Sequence, residues 1–211
     1  MKRISFIVRQ KGTLALLLVA SALCLSACGG LSRSPGPLTY DFGPPIAIAN
    51  QPEPASSALR PTISVAEIAT PEWLDSPQIF FRLAYADGQQ PRPYADSRWA
   101  MQPALLITQR LKSRLAAGAN VVSAGDTLDG VLLKVDLDEF AQVFSSPTTS
   151  QGLIQMRATV IKNGRLLGQR SFYVEVPAAS ADAAGGVRAL TRATDDAIND
   201  LATWALAKAA T

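Results

Sequence analysis

The sequence predicts an α+β fold: a mostly antiparallel sheet packed with two main helices, forming a single domain behind an N-terminal tether. Three observations carry that expectation. Asn163-Gly164 separates two runs rich in β-formers, Leu153–Lys162 and Arg165–Val176, and Asn-Gly in such a place is a strong hairpin signal. Before them Asp129–Phe144 alternates over most of its length, with Val131, Leu133, Val135 and Leu137 on one face. Two other segments, after Pro103 and at the C-terminal end, repeat apolar residues at helical spacing instead.

Residues 1–27 have the pattern of a secretory signal. Lys2, Arg3, Arg9 and Lys11 precede an apolar run from Leu14 to Leu25, shorter than the roughly 20 residues a permanent span requires. Leu25-Ser26-Ala27-Cys28 then matches the lipobox of bacterial lipoproteins. That resemblance implies cleavage before Cys28 and acylation of its thiol. Each buried methylene contributes about 0.8 kcal/mol, so several acyl chains hold a protein where one is marginal. Gly29 stands where lipoproteins kept at the inner membrane of enteric bacteria carry Asp. The analogy implies a lipid anchor at the periplasmic face of the outer membrane.

Seven of the 14 prolines fall between Pro35 and Pro61, a composition that resists both helix and central strand. Residues 28–37 are expected as the lipidated tether and 38–211 as the domain. Leu38–Phe42 alternates as a first short strand, and Gly43–Arg60 follows as a loop. Thr62–Ile68 and Gln78–Tyr85 are expected strands, with Asp87-Gly88 as a turn and Arg92–Ala95 as the return. Pro103 suits a first helical turn, Leu106, Leu111 and Leu115 give an apolar face, and Gly118 is placed to end the helix. After the three long strands, Ala178–Gly186 is small and flexible in composition, with Gly185-Gly186 expected as a hinge. Val187–Ala209 is the last helix, with Leu190, Thr194, Ile198, Leu201 and Ala205 along one stripe.

The net charge of +3 comes from 20 basic and 17 acidic residues, and four of the basic ones belong to the signal. The remainder is close to neutral and holds no clustered positive charge, so no nucleic acid partner is expected. The chain contains no histidine, which excludes Ser-His-Asp and Cys-His catalysis and imidazole metal sites. It contains no phosphate-binding G-x-x-x-x-G-K-[ST] loop. Both cysteines, Cys24 and Cys28, lie in the signal and lipobox, so no disulfide forms within the domain. Asp136, Asp138 and Glu139 cluster on one strand. Two readings compete there: an acid–base or calcium site, and solvated charges on a sheet face or edge. The second is adopted, with no catalytic residue, no metal and no cofactor. Asp195-Asp196 is likewise expected at the surface.

Trp73, Phe80, Phe81, Tyr85, Tyr94 and Trp99 crowd one stretch of the chain. Alternation puts Phe80 and Phe81 on opposite faces of a strand, so both faces are covered or one is a binding surface. "PEWLDSPQIFFR" (Pro71–Arg82) followed by "YADSRWAMQP" (Tyr94–Pro103) resembles the ABC-type transport auxiliary lipoprotein family, which includes PqiC-like intermembrane transport lipoproteins. The resemblance rests on Pro71, Leu74, Asp75, Phe81, Arg82, Arg98, Trp99 and Ala100. The lipobox, the early "TYDFGP" strand, the Asn-Gly hairpin and the last helix also fit. Met101-Gln102 departs from the family's frequent Glu-Pro, with proline one place later.

The resemblance implies a non-catalytic component of an envelope lipid-transport system. An inner-membrane ABC transporter, permease and ATPase, would act with an MCE-domain protein crossing the periplasm. This lipoprotein would meet the distal end of that conduit at the outer membrane. An assembly or structural lipoprotein for another outer-membrane complex is the alternative, and a carboxylate-based hydrolase a third. The partner surface is expected where aromatics are densest: Pro71, Trp73, Leu74, Phe80 and Tyr85.

Overall fold

The computed structural model describes residues 36–44, 60–125 and 130–210. The signal segment, Cys28, most of the tether and most of the Gly43–Arg60 loop lie outside the described residues. The strands are β1 (Leu38–Tyr40), β2 (Thr62–Val65), β3 (Gln78–Leu83), β4 (Asp87–Trp99), β5 (Asn120–Ser123), β6 (Val131–Ser146), β7 (Thr149–Lys162) and β8 (Arg165–Pro177). The helices are α1 (Pro103–Leu115) and α2 (Ala183–Ala209), and Glu72–Leu74 is a short 3-10 turn. Among the described residues these strands form one sheet.

β6 organises that sheet. One of its edges pairs with β7 along nearly its whole length, antiparallel, and β7 pairs likewise with β8. Its other edge is shared. Val131–Leu133 take β2 and Gln142–Phe144 take β3, both parallel. Between them Ala66 N–H donates to Leu133 O, Ala69 N–H to Val135 O, and Leu137 N–H to Ala69 O. β2 and β3 are therefore two pieces of one edge, running in one direction along β6 and interrupted by the Pro71–Asp75 turn. β4 folds back antiparallel on β3 and carries β1, while β2 carries β5. The α+β class holds. The sheet is mixed, with long antiparallel pairings and short parallel ones.

Alternation buries one face of β6 and β7. Leu133, Leu137, Phe140, Ile154 and Met156 are fully buried there, under Ile107, Leu111 and Leu115 of α1 and Leu190, Ala193, Ala197 and Leu201 of α2. Each such Leu or Ile contributes about 1.5–3 kcal/mol by leaving water. The β7–β8 hairpin is tight because Asn163 and Gly164 both take positive φ, 51° and 73°, the pair of values a two-residue I′ turn requires.

Two local expectations change, and one strand is new. β4 starts at Asp87, so the reversal falls at Ala84–Ala86 and Asp87-Gly88 already belongs to the strand. β5, four residues long, pairs with β2, and four residues are too few to show a period. α2 begins at Ala183 rather than Val187, so Gly185-Gly186 is its first turn and not a hinge. Asp182 caps it: its Oδ1 accepts the Gly185 N–H at 2.7 Å and the Ser180 hydroxyl at 2.7 Å.

These bonds hold the Asp182 carboxyl below its ordinary pKa, the Gly185 amide first and Ser180 second. A lowered carboxylate pKa contributes stability above the unfolded value, and that contribution is lost as pH falls through the folded value. Asp182→Ala is expected to cost about 1 kcal/mol at neutral pH, as N-cap removal typically does. Denaturant unfolding across the acid range checks this. The difference from the parent should shrink as the pH falls; a constant difference would mean that the cap acts without its charge.

Candidate functional site

Among the described residues no α-helix covers the other face of the sheet, and the chain between β2 and β3 leans over it. Trp73 in the 3-10 turn meets Phe80 of β3 edge-on, with centroids 5.2 Å apart. The Arg82 guanidinium lies 5.0 Å from the Trp73 ring centroid. The same guanidinium grips Glu139 with two bonds, Nε to Oε1 at 3.3 Å and Nη2 to Oε2 at 2.9 Å. Its Nη1 donates to Gly88 O and Gln89 O at 3.1 and 3.2 Å. Arg82 thus joins the Trp73 turn, β4 and β6. Its ion pair is partly screened from water, with 17% and 21% of the two side chains exposed.

Beside this clamp is a hollow of about 470 Å³ lined by Pro71, Trp73, Asp136, Asp138 and Arg157, among others. Arg157 on β7 lies across from Asp136 in the ladder and reaches both carboxylates at 3.5 Å. All three are well exposed, so the pairs are weak. A β-bulge after Leu137 adds a residue, which brings Glu139 to the same face as Asp136 and Asp138. Further out on β8, the Tyr173 hydroxyl donates to Glu175, and that bond pushes the phenol up to about 12, keeping it a donor at any physiological pH.

The five expected partner residues divide. Pro71 is exposed, Trp73 half-buried, and Tyr85 is 48% exposed in the turn after β3. Leu74 and Phe80 are 1% and 7% exposed, part of the core, so neither offers its side chain to a partner. Pro71 and Trp73 share the hollow; Tyr85 is not among its lining residues. Phe81 packs on the helix side against Tyr94 and Phe144, at 4.8 and 5.9 Å, so both faces of β3 are covered.

Sequence reading missed Arg82, Glu139 and Arg157 as a set. The charges were visible, but the parallel pairing that places Arg82 beside Glu139 was not. Asp195, expected at the surface, is an ion-pair partner: Arg110 Nε reaches it at 2.7 Å while Nη2 donates to Phe42 O at 3.0 Å. That contact ties α1 and α2 to the chain leaving β1.

Among the described residues no group of three or more Cys, Asp or Glu is placed to hold a metal ion. Nor is any helix among them long and apolar enough to cross a membrane. The family model of the ABC-type transport auxiliary lipoprotein component matches residues 40–202. The chain belongs to this family. As an ABC-type transport auxiliary lipoprotein it shares its fold with protein XCC0632 from Xanthomonas campestris, a DUF330 protein, at 20% identity and a TM-score of 0.67. That likeness covers 81% of this chain and 95% of the other. A second solved structure, of an uncharacterized protein, aligns at 16% identity and a TM-score of 0.64, over 81% of this chain and 99% of that one. No curated protein matches the sequence. Both structural likenesses, at these identities, speak for the fold alone.

For this auxiliary lipoprotein the carboxylate cluster is expected to be dispensable. Asp136→Asn with Asp138→Asn should leave the melting temperature and cellular function unchanged, since exposed pairs contribute at most about 1 kcal/mol. Loss of function at normal abundance would reopen acid–base or metal chemistry at the hollow.

Proposed function

We propose that this auxiliary lipoprotein is a non-catalytic, outer-membrane-anchored component of an intermembrane lipid-transport system. Acylated at Cys28, it docks the periplasmic end of an MCE-type conduit driven by an ABC transporter. The observation that carries this reading is the family match across the domain, whose description names a lipoprotein component of ABC-type transport. Gly29 after the lipobox cysteine supports the outer membrane. The docking surface is placed at Pro71 and Trp73, with Tyr85 as a second exposed aromatic. Trp73 is rigid there, held by Phe80 and Arg82, and aromatic side chains fixed in this way are the usual anchors of protein interfaces.

Two measurements test the reading. Labelling with a palmitate analogue should mark the parent and spare Cys28→Ser, and the variant should leave the outer-membrane fraction; equal labelling of both would refute the anchor. Trp73→Ala should keep most of the melting temperature and lose capture of the MCE-domain protein, because an interface anchor contributes about 2 kcal/mol or more to binding. If capture fails only in variants that also melt early, Trp73 is a folding residue and the docking surface lies elsewhere.

A further inference from the structure

The end of the sheet at the β7–β8 turn carries charge of one sign. Lys134 of β6, Lys162 of β7, and Arg165 and Arg170 of β8 lie in strand segments 131–135, 158–162 and 165–174, which contain no Asp or Glu. None of the four makes an ion pair among the described residues, whereas Asp136, Asp138 and Glu139, further along β6, are engaged by Arg157 and Arg82. Lys162 and Arg165 stand directly opposite each other across the tight turn. Like charges so placed destabilise a strand pair, and the fold therefore carries a cost there that an anionic partner would relieve.

The same end is apolar on the sheet face that no described α-helix covers. Leu132, Ile161 and Leu166 are cross-strand neighbours in the registers of β6, β7 and β8, so they form one row across three strands. Beside them in sequence, Leu133 and Val160 turn the other way into the core. Leu132 and Ile161 are half-buried, and Leu166, two residues past Gly164, is 60% exposed. Lys134, exposed, shares the face of Leu132 by strand alternation, and Lys162 and Arg165 flank the row from the opposite face. Basic side chains thus border the apolar row on both sides of the sheet.

Charge and apolarity together select the occupant. A soluble anion would meet the cations and leave Leu166 in water. An apolar peptide would cover the row and leave Lys162 facing Arg165. An anionic phospholipid surface supplies both, phosphates over an acyl boundary. The family is one of lipoproteins, so a bilayer is at hand. We propose that the β7–β8 turn is a membrane contact in its own right, where Leu166 enters the interface of an anionic phospholipid bilayer and Lys134, Lys162 and Arg165 lie among its phosphates.

Leu166→Trp keeps an apolar side chain at this point and makes it report on lipid. The full chain, purified from membranes in detergent, is placed in vesicles of phosphatidylcholine and phosphatidylglycerol whose acyl chains carry bromine. Quenching beyond that of the parent chain's own tryptophans is expected, and little of it in brominated phosphatidylcholine alone. Thr148→Trp, exposed in the turn at the other end of β7, should add none. Each basic residue at an anionic surface raises partitioning about fivefold, so adding Lys134→Glu and Arg165→Glu should lower the ratio of seated to free hairpin about 25-fold or more. That chain should melt no lower than the parent, because Glu at position 165 opposes Lys162. Lys134→Arg with Arg165→Lys should keep the quenching, and raised salt should weaken it without any further substitution. The proposal is overturned if phosphatidylglycerol gives no added quenching, if Thr148→Trp is quenched equally, or if charge reversal and salt have no effect. An added indole that lipid does not quench but the MCE-domain protein shields from iodide would mark an acidic protein partner and overturn it too. The lipid outcomes do not depend on the transport reading, which Trp73→Ala tests separately.

Discussion

Trp99→Ala is expected to remove roughly 3–5 kcal/mol of stability, the range for truncating a buried Trp or Phe. Trp99 ends β4 and is 1% exposed. Its ring meets Phe42 edge-on at 5.4 Å and Phe140 at 5.6 Å, and those two rings lie 6.1 Å apart. This cluster joins three parts of the fold: the chain leaving β1, the last residue of β4 and the middle of β6. β1 itself is held to β4 by three residue pairs only. Without the indole, Phe42 loses a neighbour and β1 loses the packing that makes so short a strand stable. For a domain of about 150–250 residues each kcal/mol lowers the melting temperature by about 2–4 °C, so a fall of roughly 6–20 °C is expected. Thermal unfolding, with Trp73→Ala as the half-buried comparison, measures it. A loss at Trp99 smaller than at Trp73 would mean that the ring cluster is not the structural centre.

The elements visible in the sequence were those whose signal is local. Asn163-Gly164 fixed the β7–β8 hairpin because the turn's backbone needs positive φ at both positions. The periods of Val131–Leu137 and Leu106–Leu115 marked a strand and a helix through side chains meeting the same core. What stayed hidden depends on partners far away in sequence. The division of β6's edge between β2 and β3 has no local sign, nor has the bulge that brings Glu139 to Arg82, 57 residues away. Phe80 looked available because density of aromatics says nothing about what covers them; Trp73 itself does. The family resemblance rested on Pro71–Arg82 and Arg98–Ala100. In the fold these segments build the Arg82 clamp and the Trp99 cluster, so their motif is largely architectural, with Pro71 and Trp73 left exposed enough to serve a partner.

The glycines at the start of α2 were misread for the same reason, and they lead to the second large effect. Glycine normally weakens a helix by about 1 kcal/mol relative to alanine, so Gly185-Gly186 suggested an interruption. Here the helix needs them. A Cβ on Gly186 would lie 2.0 Å from Gln142 Oε1, and one on Gly185 2.1 Å from Ser180 O. Gln142 cannot easily move: it is fully buried, accepts the Tyr94 hydroxyl at 2.8 Å and donates to Ser150 at 2.7 Å. Burial, with the nearby Asp182 charge second, pushes the Tyr94 phenol up to about 12, so this network stays protonated and intact at neutral pH. Facing the same helix from β7, Gly152 lies against the helix backbone itself. Its Cβ would stand 2.5 Å from Leu190 N and 2.6 Å from Ala189 C, backbone atoms that no rotamer change can remove. Gly152→Ala is therefore expected to displace the first half of α2 and cost about 3 kcal/mol or more, the upper range of overpacking. Hydrogen exchange locates the effect. Amides near Leu190 should lose protection while those near Leu201 keep more of theirs. Gly168→Ala, where the nearest atoms are the ends of Lys208 and Trp204 side chains at 3.3 Å, should cost far less. Equal costs at the two positions would show that α2 is free to ride up on the sheet, and that its close approach at Gly152 is not what these glycines are for.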